Sequence, residues 1–453
     1  MNPQQERARR RLVGLLWLYF SLLILEGPLR KWILPGLSDV LLIVRDPVAA
    51  LAIYIAVRHG WMPNDRIVRA LLVLTGLFAA LGVLQFALGY TRSLPVLVFG
   101  LRTYFLHVPL VFIMGQVLDS RSLRRLVVAT VVVSVPIALL MVRQFQSGPE
   151  DWVNLGVGEG GRQIASAMGK VRPAGPFSYV TGPVSYFSLS FACLLASHFG
   201  GARVPALVRW SGWAALLVAA AVSGSRALIV GLVPVAVATI AALVLRPRFI
   251  AGLVRMAVVL AAVGMIVWSF TVVQEGVDVL NARMDASGGT QELLQRSTSA
   301  YQFVTVAWTD APLIGLGLGL GTNAGAALMG QSVFQLGENE WPRVILEAGP
   351  VVGLLYLLWR LWLAVRLVRL SARAAAVGSV LPLALAGACL MNVAMGQWGQ
   401  PATQGFAVWV AGLCLASCGQ SAEQVIRSRS AAGAPPSAAL HRVHLNPATN
   451  WST

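Results

Sequence analysis

Charge is scarce in this sequence, and acid scarcer still. Only 12% of the 453 residues are charged, about half the fraction of a soluble domain. Eighteen Asp and Glu stand against 35 Lys and Arg, and 57% of the residues are hydrophobic, with a mean hydropathy of +0.71. That balance excludes an ordinary soluble globular domain. Cysteine is almost missing. Cys193, Cys389, Cys414 and Cys418 all lie inside apolar runs with no histidine at metal-site spacing, which excludes a disulfide framework and a zinc site. No D-x-D element is present, so no metal motif or nucleotide-sugar fold is read. The net charge of +17 invites a nucleic-acid partner. The basic residues form no single patch, however, and sit in short clusters between apolar runs, which excludes nucleic acid as the partner.

What the sequence has instead is apolar length. Its runs repeatedly approach the roughly 20 residues that a spanning helix needs. The expected fold is an all-α polytopic membrane protein with about twelve spans: 12–26, 38–57, 68–90, 95–118, 124–146, 180–199, 207–222, 226–245, 250–271, 344–365, 375–395 and 402–418. The basic start "RARRRLVGLLWLYFSLLILEGP" has no small-x-small cleavage site, so it is expected to remain as the first span. Arginines at 7, 9, 10 and 11 precede it. Further clusters fall at 58–69, 121–125, 203–209, 246–255 and 360–373, in alternate loops. The positive-inside rule then puts both termini in the cytoplasm. Residues 1–418 form one transmembrane domain, with outer loops at about 147–178 and 272–343. Residues 419–453, rich in Ala, Ser and Pro, are expected to be a disordered tail.

Charge inside a span costs roughly 2.5–3.5 kcal/mol on insertion scales and therefore marks a buried pair or a site. Arg45, Asp46 and Arg102 interrupt apolar runs. They either hold helices together or line a polar cavity open to the outside. More arginines fall on the expected outer side: Arg30, Arg172, Arg226, Arg283, Arg296 and Arg343. Guanidinium makes bidentate contacts with phosphate oxygens, so a polyanionic ligand is expected there. The stretch "GENEWPRVILEAGPVVG" adds Glu338, Glu340 and Glu347 around Arg343. Glu347 has a structural alternative, an ion pair with Arg343 one turn earlier. Gly315, Gly317, Gly319 and Gly321 either let backbone approach a ligand or bend the loop. His107 and His198 stand alone in the sequence and suit core or loop-end positions.

Several of these pieces, in this order, resemble the O-antigen ligase and polymerase superfamily. "RPAGPFSYVTGP" is similar to its R-x-x-G-x-F-x-x-P stretch, and "VSGSRALIVGL" to its S-x-S-R element. "DAPLIGLGLGLGTNAG" is similar to its P-L-x-G-x-G-x-G element, with Arg296 upstream. "ENEWPRVILEAGPVVGLLYLL" is similar to its H-N-x-x-L-x-x-L-x-E-x-G-x-x-G element. The resemblance covers roughly residues 165–365. It departs at Glu338, which stands where the ligases carry histidine, although Asn339 is retained.

The resemblance implies a GT-C-like glycosyltransferase in a bacterial inner membrane, polymerising undecaprenyl-diphosphate-linked repeat units on the periplasmic face. No cofactor or metal is implied. The donor and acceptor glycans and the lipid bilayer are its partners, with a chain-length regulator as a candidate protein partner. Arg172, Arg226 and Arg296 would stabilise the leaving diphosphate, Arg226 being counted as catalytic. Glu338 would be the base for the acceptor hydroxyl, with Glu340 second. Asn339, Arg343, Glu347, Arg45, Asp46 and Arg102 would support them. Ligation to another acceptor and a twelve-span transporter of polysaccharide or lipid-linked sugar stay open as alternatives.

Overall fold

The computed structural model describes residues 3–90, 93–157, 161–199, 202–244, 249–286, 308–309, 311–322, 325 and 339–431. Among these, helices are the only extended regular elements; two isolated β-bridges, Leu155–Arg162 and Ala165–Val171, occur in one loop. In chain order the helices are α1 (Pro3–Pro28), α2 (Ser38–Leu41), α3 (Asp46–Arg58), α4 (Arg66–Ala87), α5 (Leu94–Phe105), α6 (Pro109–Val117), α7 (Ser120–Gln146) and α8 (Thr181–His198). They continue with α9 (Ala206–Val222), α10 (Arg226–Val244), α11 (Phe249–Trp268), α12 (Thr271–Ala286), α13 (Glu340–Ala376), α14 (Leu381–Ala394) and α15 (Pro401–Ala431).

Local chemistry sets many of the boundaries. The Asp65 side chain accepts from the Ile67 N–H at the start of α4, and Asp119 accepts from the Ser122 N–H at 2.8 Å at the start of α7. Proline sits in the first turn of α3, α5, α6 and α14, where its missing N–H costs nothing.

Eight helices among the described residues are long and apolar enough to cross a membrane, or nine if the pair bent by 96° at residues 269–270 is one span. The eight comprise α1, α4, α7, α10, α13 and α15 together with the pieces 35–58 and 94–117. A helix also stands at each of the other expected stretches. α9 and α14 are apolar but short, and α8 is diluted by buried Ser185, Ser188, Ser190 and Ser197.

Position explains α8. It packs against α7, α9, α10, α14 and α15 and is buried along nearly its whole length. A helix shielded from lipid needs no apolar exterior. α15 is similar, with 89% of its apolar window buried, whereas α10 has 28% buried and turns Val230, Val233 and Val237 outward. The bundle thus has a centre of α8, α14 and α15 and a lipid-facing rim.

Two expectations about the C-terminal part are corrected. α15 stays helical to Ala431, past residue 419 where the tail was expected to begin. The span expected over 344–365 is not one straight rod. Gly349 takes φ 77°, ψ 164°, a conformation outside the helical region, and Pro350 follows it. A straight helix would separate Glu340 from Arg360 by about 30 Å, yet their side chains meet at 2.6 Å. The chain therefore reverses at Gly349, and residues 340–348 run back alongside 350–360. The charges of that stretch lie inside the bundle rather than at the mouth of a span.

Candidate functional site

α1 ends in Glu26-Gly27-Pro28 and continues as a π-helical turn, Leu29–Ile33. Gly27 is required by contact: a Cβ there would lie 1.9 Å from the Pro176 carbonyl oxygen. This close approach buries Glu26 against a strap, the segment between α7 and α8. Arg30 Nη1 donates to Glu26 Oε1 at 3.3 Å, and Arg45 Nε donates to Glu26 Oε2 at 3.0 Å. Arg30 also donates to the Ser38 carbonyl at 2.8 Å and to Ser178 Oγ at 3.2 Å. Arg30 is thus a buried tie between three segments.

Behind this lies a second pair. Arg102 clasps Asp46 with two hydrogen bonds of 2.6 Å. His107 Nε2 lies 3.1 Å from Asp46 Oδ1 and its Nδ1 lies 3.2 Å from Tyr19 Oη. Arg45 reaches the same Tyr19 hydroxyl at 3.4 Å and the Pro401 carbonyl at 2.8 Å. Arg45, Asp46 and Arg102 therefore take the helix-holding role, joining α1, α3, α5 and α15. His107 is not isolated; it bridges two of the elements. Arg45 and Asp46, adjacent in sequence, each find a different partner because neighbouring helical side chains point about 100° apart.

The strap is held at both ends by amides. Gln144 at the end of α7 donates to the carbonyls of Val153 and Gly175, and its oxygen accepts from the Gly175 N–H. Asn154 donates to the carbonyls of Gln144, Ser147 and Gly148. Between these anchors the bridges Leu155–Arg162 and Ala165–Val171 fold the strap over an open cavity of ≈ 400 Å³.

That cavity is the candidate site. Its walls come from the end of α1 and α2 (Glu26, Arg30, Asp39), the strap (Arg162, Gln163, Arg172), the start of α8 (Tyr179, Thr181) and the start of α15 (Gln400). Three arginines and two acidic residues line it. The neutral wall is already hydrogen-bonded within the protein. The Thr181 hydroxyl lies 3.2 Å from Gln400 Oε1, and Gln163 Oε1 accepts from the Ala174 N–H at 3.0 Å. Arg162 pairs with Glu150.

The expected site residues distribute unevenly. Arg172 lines the cavity; Arg226 is not among the lining residues. Arg226 is half-buried at the start of α10, just after the elbow Ser223-Gly224-Ser225. Gly224 has φ 53°, and a Cβ on it would sit 3.0 Å from Ser166 Oγ on the strap. The elbow thus rests on the same strap that carries Arg172. Glu338 and Arg296 lie outside the described residues. Asn339 directly precedes the first residue of α13.

Glu340, Arg343 and Glu347 form a separate, fully enclosed cluster. Both Glu340 oxygens accept from Arg343 at 3.0 Å, and Oε1 also accepts from Arg360 at 2.6 Å. Arg360 further donates to the carbonyls of Val393 and Gly396 at 2.8 Å at the end of α14. This corrects its place in a cytoplasmic basic cluster: it is a buried partner of Glu340. Glu347 accepts from Arg343 at 3.0 Å, from Tyr104 at 2.7 Å and from the N–H groups of Gly319 and Gly321 at 3.2 and 2.8 Å. The structural alternative for Glu347 is therefore the one seen, with the glycine loop added to it. Gly315, Gly317 and Gly319 have φ of 73°, 137° and 91°. Their close neighbours are protein backbone, the Glu347 carbonyl at Gly315 and the Val96 carbonyl at Gly319. Glu340, with both oxygens held by guanidinium, is placed to fix the chain reversal.

Sequence reasoning missed Glu26, Asp39, Gln85, Gln144 and Asn154. Gln85 donates to the carbonyls of Ile314 and Glu347 and accepts from the Leu318 N–H, locking the glycine loop to α4. Glu26 and Gln85 carry a readable signal, a polar residue closing an apolar run. Asp39 carries none, because its meaning depends on the cavity. Among the described residues, no group of three or more His, Cys, Asp and Glu side chains could hold a metal ion. No family model matches the chain, and no curated protein matches it.

Proposed function

We propose that this chain is a membrane-embedded glycosyltransferase that joins lipid-diphosphate-linked oligosaccharide units in the cavity beneath the strap. The observation that carries this reading is the wall of that cavity. Arg30, Arg162 and Arg172 converge on it with hydroxyl and amide groups, at the end of apolar helices. Such a surface suits a ligand with an anionic head, a hydroxyl-rich glycan and a lipid tail that stays in the bilayer. Every wall segment is one that the arginine pattern assigns to the outer side, and this agreement supports twelve spans with both termini inside. The motif resemblance supplies the reaction class.

In this reading the acceptor hydroxyl oxygen attacks the anomeric carbon while the bond from that carbon to the diphosphate oxygen breaks. Negative charge grows on the departing diphosphate. A fixed guanidinium stabilises that charge, and losing one such donor typically costs about 10²–10³ in rate. Arg172 is the clamp residue in the wall. Arg226 and Arg296 are its further members by resemblance, and Arg226 sits on the elbow that touches the strap. A carboxylate takes the acceptor proton.

The test is conversion of the cell's own substrate. Lipid-linked oligosaccharide that accumulates in a strain lacking this chain is extracted and mixed with the purified protein in detergent. Longer glycans and free lipid diphosphate are expected. An unchanged substrate with folded protein would contradict the proposal. Arg172→Ala and Arg226→Ala should each lower the rate by about 10²–10³. Their Lys variants should recover little, because a point charge does not reproduce the planar fork.

A further inference from the structure

We infer that Asp39, rather than Glu338, accepts the proton of the acceptor hydroxyl. This rests on the proposed glycosyl transfer and assigns its base. Two carboxylates line the cavity, Glu26 and Asp39. Glu26 is buried, and each of its oxygens accepts from an arginine, Arg30 on one side and Arg45 on the other. It is a positioning residue that sets the two guanidinium groups. Asp39 is exposed, lies in the short helix α2, and no hydrogen bond among the described residues engages its carboxylate. Its neighbour Ser38 is held by Arg30 through both its carbonyl and its hydroxyl, at 2.8 and 3.3 Å. That double contact fixes the backbone of α2 at the cavity edge and with it the origin of the Asp39 side chain.

The geometry gives the two sides of the cavity different tasks. Arg172 on the strap meets the leaving diphosphate, and Asp39 on α2, another wall segment, meets the acceptor. In the step, the acceptor O–H proton passes to Asp39 Oδ as the new C–O bond forms. The old C–O electron pair leaves with the diphosphate. Charge balances: Asp39 becomes neutral, the leaving group gains the negative charge, and the proton is later released to water. A carboxylate is basic enough, because the anomeric centre is strongly electrophilic in an oxocarbenium-like transition state and paired carboxylates serve glycosyl chemistry generally.

The experiment uses the purified full chain and the lipid-linked oligosaccharide extracted from the strain lacking it. Asp39→Asn is expected to melt like the wild type and to lose about 10²–10⁴ in turnover. Asp39→Ala leaves room for a small acid, so added sodium formate should raise its rate at least about tenfold, within the range one general base contributes. Formate should leave Arg172→Ala unchanged. Wild-type turnover by Asp39→Asn while Arg172→Ala is inactive would overturn the assignment and leave the proposed function standing, with Glu338 as base. An inactive Asp39→Ala that melts normally and ignores formate would make Asp39 a positioning residue, which also overturns it. Wild-type protein that leaves the oligosaccharide untouched would remove the proposed function itself.

Discussion

Arg45, Asp46 and Arg102 show how a charge inside a span acquires its meaning from one distance. As letters they fit a cavity lining and a helix clasp equally. The pair of 2.6 Å hydrogen bonds from Arg102 to Asp46 decides for the clasp. Breaking one side of such a buried pair leaves an uncompensated charge, at a typical cost of about 3–5 kcal/mol. Asp46→Leu should therefore sharply lower the melting temperature of the purified protein. Adding Arg102→Met to it should restore much of the loss, because replacing both partners by apolar groups is often near neutral. A double variant as unstable as the single one would show that the pair is not the unit. The individual charges were readable at this scale; their partners were not. Glu26, His107 and Tyr19 lie 19, 61 and 88 residues from those they touch, and no local pattern encodes such pairings.

At the scale of elements, α13 is where periodicity misleads. Its apolar run reads as a span, and Glu340 to Glu347 reads as the charged mouth of that span. The reversal is written only in Gly349-Pro350, and glycine followed by proline is also compatible with a mild kink. The contacts make it a fold-back. A Cβ on Gly353 would lie 3.1 Å from the Ile345 Cα, whereas eight residues of straight helix span about 12 Å. Cysteines placed at 345 and 353 should cross-link under mild oxidant, with the four native cysteines buried and silent. A pair that stays reduced while the protein is folded would support the straight rod. Gly349→Ala should fail to yield folded protein, because its Cβ would come 2.2 Å from the Leu313 carbonyl oxygen at a φ of 77°. The glycine loop follows the same logic. Its positive φ values were foreseeable from glycine alone, but their use in bringing N–H groups to Glu347 was not.

For the whole molecule, a helix at each expected apolar stretch was legible because apolar length survives without knowledge of neighbours, but eight or nine of those described are long and apolar enough to cross a membrane. Their classes were not. α8 looks weakly apolar because it is the central helix, and its serines face protein rather than lipid. The orientation rests on arginines at alternate ends, and it carries its own test. A reporter active only outside the cytoplasm should be active when fused near residue 285 and inactive near 370; the reverse would invert every surface named here. The central claim is narrower: a lipid-linked glycan sits in the cavity below the strap. Photocrosslinking addresses it directly. A benzophenone amino acid at position 179, an exposed wall residue, is irradiated in the presence of radiolabelled lipid-linked oligosaccharide from the strain lacking this chain. Label should attach covalently at position 179 and be competed by unlabelled substrate. The same probe at Leu139, exposed on α7 and not a wall residue, should take up little label. Equal labelling at the two positions, or none at 179 in protein that turns the substrate over, would contradict the account.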